Sequence, residues 1–155
     1  MRFTLSPITE PDAQAISLWR YRGPYSIYNG YVAALNPRFR YHAVHYERGE
    51  LVGYFCFGED ARVPAGTGLY ANGPLDVGFG MRPDLVGRGL GQEFVEAGLE
   101  FAFEVYSPES FRMTVAAFNR RAVRVYEDLG FIVLAEFGRR VSNGEREWIL
   151  LAKRF

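Results

Sequence analysis

At 155 residues, with 18 basic and 18 acidic side chains cancelling to a formal +0, and 48% hydrophobic against 23% charged residues, the chain has the make-up of one self-folding globular domain spanning 1–155. The balanced charge removes any global attraction to nucleic acid or to an anionic membrane surface, so an anion site would have to be local. No apolar run reaches the ~18–20 residues of a membrane span, and Met1-Arg2-Phe3-Thr4-Leu5 runs into Pro7 rather than an apolar signal core, so a cytoplasmic location is expected.

Arg2 to Pro7 reads as a first strand. Thr9-Glu10-Pro11-Asp12 then supplies an N-cap, a first-turn proline and an acid three residues on, which predicts a helix to about Trp19. Tyr21 to Gly30 is a loop, followed by a short helix around Tyr31 to Leu35 that stops at Asn36-Pro37. Trp19, Tyr21, Tyr25, Tyr28 and Tyr31 crowd this region with half-polar aromatics. They suit a pocket with apolar walls, a cap on the core or a homodimer surface. Arg40 to Arg48 and Leu51 to Gly58 flank Gly49-Glu50 as a β-hairpin. Its second strand holds Cys56, the sole cysteine, which excludes an internal disulfide and reads as a buried packing residue. His42 and His45 lie three apart on a strand, so they face opposite sides and cannot chelate one metal. No metal site is expected. Glu59 to Gly73 has no periodicity and reads as a loop.

Leu75 to Met81 is a further strand, with Gly78 and Gly80 marking a bulge or a close backbone approach. Next comes Pro83-Asp84-Leu85-Val86-Gly87-Arg88-Gly89-Leu90-Gly91, a glycine loop opening a helix over Gly89 to Phe103, with Leu90, Phe94, Gly98 and Phe101 along one stripe. Uncovered loop amides plus the orphan N–H groups and positive dipole end of a helix would make an anion site, while the glycines alone fit a flexible strand-to-helix turn as well. It is not a Walker A loop, which needs Gly-Lys-Ser/Thr, and the Gly87-x-Gly89-x-Gly91 spacing is not the dinucleotide fingerprint. Phe111 to Ala116 is a strand, and Asn119 to Leu129 a helix closed by Gly130. Phe131 to Arg140 pairs with Glu145 to Lys153 across Ser142-Asn143-Gly144. The order β-α-α-β-β-β-α-β-α-β-β predicts a mixed α/β (α+β) fold around one central sheet.

Two motifs resemble the GNAT superfamily of acyl-CoA-dependent N-acetyltransferases. Val86-Gly87-Arg88-Gly89-Leu90-Gly91 is similar to that family's Arg/Gln-x-x-Gly-x-Gly/Ala loop. Asn119-Arg120-Arg121-Ala122-Val123-Arg124-Val125-Tyr126-Glu127-Asp128-Leu129-Gly130-Phe131 is similar to its Asn-x-x-Ala-x-x-x-Tyr…Gly-Phe segment. The resemblance implies a mixed, mostly antiparallel sheet of about seven strands flanked by about four helices, and transfer of an acetyl group from acetyl-CoA to a primary amine, small molecule or protein. It implies a coenzyme A site on Phe79, Gly80, Met81, Val86, Gly87, Arg88, Gly89, Leu90, Gly91 and Asn119, with the backbone of Phe79 to Met81 pairing with the pantetheine arm. Val86 departs from the family's Arg or Gln; its amide can still donate, and Arg82 or Arg88 could supply the charge.

By the same resemblance Tyr126 protonates the departing thiolate, although its helical stripe with Ala122 and Leu129 would account for it by packing alone. Asn119 is equally explained as an N-cap. An ammonium must lose its proton before attack, and Asp76 is the first candidate base, with Glu59, Asp60 or a water chain behind it; the plainer reading of Asp76 is a solvated acid at a strand start. Tyr25 and Tyr28 would line the acceptor site. Arg120, Arg121 and Arg124 read as a solvated helix face for at least two of them, the alternative being a contact to the nucleotide's phosphates. The alternatives from other classes are a non-catalytic acyl-CoA-binding sensor and a structural subunit of this fold.

Overall fold

The computed structural model describes residues 2–29, 40–63, 69–141 and 144–154. Seven strands form one sheet: β1 (Phe3–Pro7), β2 (Tyr41–Tyr46), β3 (Leu51–Phe57), β4 (Leu75–Met81), β5 (Ser110–Ala116), β6 (Ile132–Val141) and β7 (Gly144–Arg154), in the order β1-β2-β3-β4-β5-β7-β6. The sheet is mostly antiparallel with one parallel pair, β4 on β5, as the element order requires when a helix returns the chain between them. The helices among the described residues are α1 (Glu10–Ser17), α2 (Gly91–Tyr106) and α3 (Arg120–Asp128), with 3-10 turns at Gly23–Tyr28, Glu59–Ala61 and Pro83–Leu85. The short helix expected around Tyr31 to Leu35 lies outside the described residues, as do Ser142 and Asn143 of the expected last turn. No described helix is long and apolar enough to cross a membrane.

The chain divides into two compact units, 1–56 with 79–101, and 57–78 with 102–155. In the first, Thr9 caps α1 as its sequence predicts: its hydroxyl accepts from the Asp12 amide (3.3 Å) and its amide donates to the Asp12 carboxylate (3.2 Å). The core of this unit is aromatic. Phe94 of α2 stacks on Phe55 (5.0 Å between centroids) and meets Phe3 (5.6 Å) and Phe79 (5.6 Å). Each such ring contributes roughly 1.5–3 kcal/mol on burial. The buried stripe of α2 is broader than its sequence pattern suggests, taking in Val95, Ala97, Leu99 and Ala102 as well. Leu90 lies ahead of the helix because α2 begins at Gly91, two residues later than expected, on the last residue of the glycine loop.

On β2, the His45 imidazole lies 3.5 Å from Asp12, and His42 packs against Phe101 (4.7 Å) with Nδ1 3.0 Å from the Arg40 carbonyl. Burial holds the His42 imidazole below its ordinary value of 6.5, partly opposed by that carbonyl. The unfolded chain therefore takes up a proton near pH 6.5 that the fold resists, so His42 costs stability as pH falls below 6.5 and nothing above it. A His42→Phe variant should lose less thermal stability than the parent between about pH 7 and about pH 5, as followed by melting curves; parallel losses would contradict this.

In the second unit, β5 pairs with β7 along its whole length, from Ser110–Arg154 to Ala116–Trp148. The parallel ladder of β4 on β5 has only three rungs, Leu75–Phe111, Asp76–Arg112 and Val77–Met113. A bulge between Val133 and Ala135 interrupts β6, where Ile132, Val133 and Leu134 are exposed.

Candidate active site

In the first unit, β4 ends at Met81, and the Arg82 amide makes a last bond to the Val52 carbonyl (2.8 Å). Pro83 then starts a 3-10 turn, favoured because its fixed φ suits a first helical position. The turn closes with Leu85 N–H to Arg82 O (2.9 Å) and Val86 N–H to Pro83 O (3.3 Å). This corrects the expectation for Val86: its amide is used inside the turn and is not offered to a ligand. Arg82 is no substitute either. Its guanidinium is forked onto Asp84 (2.6 and 3.2 Å) and donates to the Leu51 carbonyl (3.0 Å). That fork, with help from Arg88, holds the Asp84 carboxyl below its ordinary range. Arg88 is exposed and is the loop cation left to face an anion.

Past the turn, Gly87 and Gly89 take φ of +80° and +78°, the left-handed region that side chains disfavour. Alternating conformations of this kind point successive amides the same way. Among the described residues, no acceptor is found for the amides of Gly87, Arg88, Gly89, Leu90, Gly91, Gln92 and Glu93, and the first helical bond is Phe94 N–H to Leu90 O (3.0 Å). Sequence reasoning stopped the cradle at Gly91. The rule that a helix begins with orphan donors would have extended it to Gln92 and Glu93.

Gly80 was expected to admit the pantetheine arm. A Cβ there would overlap the edge of the Tyr54 ring, so its missing side chain makes room for Tyr54, which neighbours Trp19 (6.5 Å) and Tyr41 (6.3 Å), and the backbone pairing of Gly80 stays an expectation. Phe79 is in the aromatic core, and Met81 is buried. The Met81 carbonyl accepts from the Tyr21 hydroxyl at 2.6 Å. Sequence reasoning placed Tyr21 among the loop aromatics and missed this bond, for which the sequence holds no signal. Asn29 clasps the same residue, accepting from the Tyr21 amide (2.6 Å) and donating to its carbonyl (3.4 Å). Tyr28 meets the Tyr21 ring edge-on (6.3 Å), and Tyr25, on the same 3-10 turn, is half-buried. Burial, then Tyr28, pushes the Tyr21 phenol above its ordinary value, so it acts as a donor and not as a base.

In the second unit, Asn119 caps α3: its side chain accepts from the Ala122 amide at 3.3 Å. The helix closes with Gly130 at φ +97°, Gly130 N–H to Glu127 O (3.0 Å) and Phe131 N–H to Tyr126 O (3.0 Å), the Schellman pattern. Tyr126 is buried, 6.1 Å from Phe131. Arg120, Arg121 and Arg124 are all exposed.

Asp76 is not a solvated acid. It is 3% exposed, its Oδ1 accepts from Arg112 Nε (2.6 Å), and its Oδ2 accepts from Arg112 Nη2 (2.9 Å) and Arg62 Nε (2.8 Å). Both guanidinium groups lie over the Tyr70 ring, whose hydroxyl is 2.8 Å from Thr114 Oγ1. A base must turn an oxygen to the incoming ammonium, and here three guanidinium N–H groups hold both oxygens in the sheet. Among the described residues no group of side chains could hold a metal ion.

Residues 2–132 match the family model of the GNAT acetyltransferase domain. The chain belongs to the GNAT acetyltransferase family. The GNAT fold is equally plain in solved structures. A GNAT-family acetyltransferase from Bacillus anthracis superposes with a TM-score of 0.74 at 16% identity, over 99% of this chain and 95% of that one. Spermidine N-acetyltransferase from Vibrio cholerae, in complex with CoA and spermine, gives 0.73 at 15% identity, over 99% and 95%. No curated protein sequence matches this GNAT chain.

Proposed function

We propose that the protein is an N-acetyltransferase that moves the acetyl group of acetyl-CoA directly onto a primary amine. The observation that carries this reading is the unbroken run of acceptor-less amides from Gly87 to Glu93 at the head of α2. Such a run suits an extended anion such as two linked phosphates. Gly87, Arg88, Gly89, Leu90 and Gly91 would hold the pyrophosphate, with Arg88 adding charge. The backbone of Phe79, Gly80 and Met81 would take the pantetheine arm as an added strand, which the early end of the β4–β5 ladder favours.

The neutral amine attacks the thioester carbon, the C–N bond forms, and a backbone amide near Phe79 to Met81 steadies the oxyanion. The C–S bond then breaks, Tyr126 gives its proton to the thiolate, and the proton shed by the newly acylated nitrogen returns to the phenol through water. Asp76 is tied to Arg62 and Arg112, so the proton leaving the ammonium passes to water. Asn119 serves first as the cap of α3, with a cofactor contact as its second role. Tyr25 and Tyr28 face the acceptor amine.

Release of free CoA thiol that depends on an added amine tests the reading. Tight acetyl-CoA binding without amine-dependent release would assign the chain to the sensor class. In the same assay Tyr126→Phe should leave acetyl-CoA affinity intact and cut turnover by about a hundredfold; unchanged turnover would remove Tyr126 as the acid.

A further inference from the structure

We propose that the acceptor amine carries its own anionic group, a carboxylate or an equivalent oxyanion, on an apolar or aromatic body, and that Arg22 binds that anion. The inference rests on the N-acetyltransferase reading and narrows its substrate.

The first observation is an asymmetry hidden by the balanced net charge. From Ala13 to Tyr46 there is no Asp or Glu, although the chain has 18 of them, and this stretch carries Arg20, Arg22, Arg38 and Arg40. The second is where its described part sits. The Tyr21–Asn29 segment is fastened to Met81 by the Tyr21 hydroxyl, at the strand end that leads into the amide loop. A substrate entering beside that segment meets aromatic rings and positive charge, and no acid from this part of the chain.

The arginines differ in what they can do. Arg20 is turned back onto its own helix end, donating to the carbonyls of Ser17 (2.9 Å) and Trp19 (2.8 Å). Arg22 is exposed at the head of the Gly23–Tyr28 turn, where its backbone carbonyl accepts from the Tyr25 amide (3.2 Å), and among the described residues its guanidinium has no ion pair or hydrogen bond. A polycation needs carboxylates and is repelled here, whereas a simple alkylamine gains nothing from the guanidinium. An amine with a carboxylate gains a two-pronged bond while its body lies against the tyrosines.

The test uses matched pairs of amines that differ only in the carboxylate: phenylalanine and 2-phenylethylamine, leucine and 3-methylbutylamine, methionine and 3-(methylthio)propylamine, with spermidine as the polycation. Thiol release is measured at saturating acetyl-CoA for the full chain. The carboxylate member should lead its pair in kcat/KM by about tenfold, the worth of one good ionic contact, and spermidine should be the poorest acceptor. Arg22→Gln should erase the lead through KM, with kcat within about twofold, and Arg22→Glu should invert it and admit spermidine. Arg22 is exposed, so neither variant threatens the fold. A wild-type preference for spermidine or for the decarboxylated members, or a ratio that Arg22→Gln leaves unchanged, overturns the role of Arg22 while the acetyltransferase reading stands. Absence of turnover with every amine overturns both.

Discussion

A Gly87→Val, Gly89→Val double variant is expected to bind CoA at least about a hundredfold more weakly than the parent, because the loop loses the backbone shape that aims its amides. The obstacle is conformational. A Cβ at Gly89 would meet nothing within 4 Å, so space is available, but φ of +80° and +78° places both residues where a β-branched side chain costs about 1–3 kcal/mol each. The chain escapes that cost by turning its peptides, and each amide turned away forfeits a charge-assisted bond worth about 1.5–3 kcal/mol. Two such losses account for the expected factor. Isothermal titration with CoA measures it, and circular dichroism checks that α2 and the sheet persist. A dissociation constant within about threefold of the parent would mean that this loop is not the pyrophosphate site.

The second large effect concerns stability rather than binding. Asp76→Ala leaves Arg112, 3% exposed, as a buried charge without its counter-ion, and Arg62 loses the same partner. Removing one member of a buried ion pair costs about 3–5 kcal/mol, which lowers the melting temperature by roughly 6–20 °C for a chain of this length. Arg112 would keep the Ala71 carbonyl (2.9 Å) and the face of the Tyr70 ring, neither of which carries a counter-charge. An Asp76→Leu, Arg112→Met double variant should recover most of the loss, since no charge is then stranded. Urea melts of the three proteins decide the matter. The pH–rate profile of Asp76→Asn, measured where it is folded, should match the parent; a missing acidic limb would return Asp76 to the chemistry.

The strands and the helix caps were legible because their signals are local. Thr9 with Asp12, Asn119 with Ala122, and Gly130 with Phe131 act within one turn of chain, and each does in the structure what its residue type predicts. Much of the second motif is thereby accounted for by helix closure: Asn119 is the cap, Gly130 the left-handed residue, and Phe131 the apolar contact to Tyr126 that accompanies such an ending. What stayed hidden depends on long-range partners. Nothing near Asp76 in sequence announces Arg112, 36 residues away. Nothing near Tyr21 announces the Met81 carbonyl, 60 residues away. The close approach that Gly80 signals was legible, but not the group that makes it, the ring of Tyr54 on β3. The Val86 amide was misassigned through a local signal given too little weight, the power of Pro83 to start a turn that consumes it.

The ending of α3 also bears on how a change at Tyr126 would be understood. Its carbonyl receives the amides of both Leu129 (3.1 Å) and Phe131 (3.0 Å), so the main chain at this residue is moored by its own helix stop. Trimming the hydroxyl therefore leaves the ring mounted on an undisturbed post. A change in turnover for Tyr126→Phe is then measured on a main chain that the helix stop holds in place.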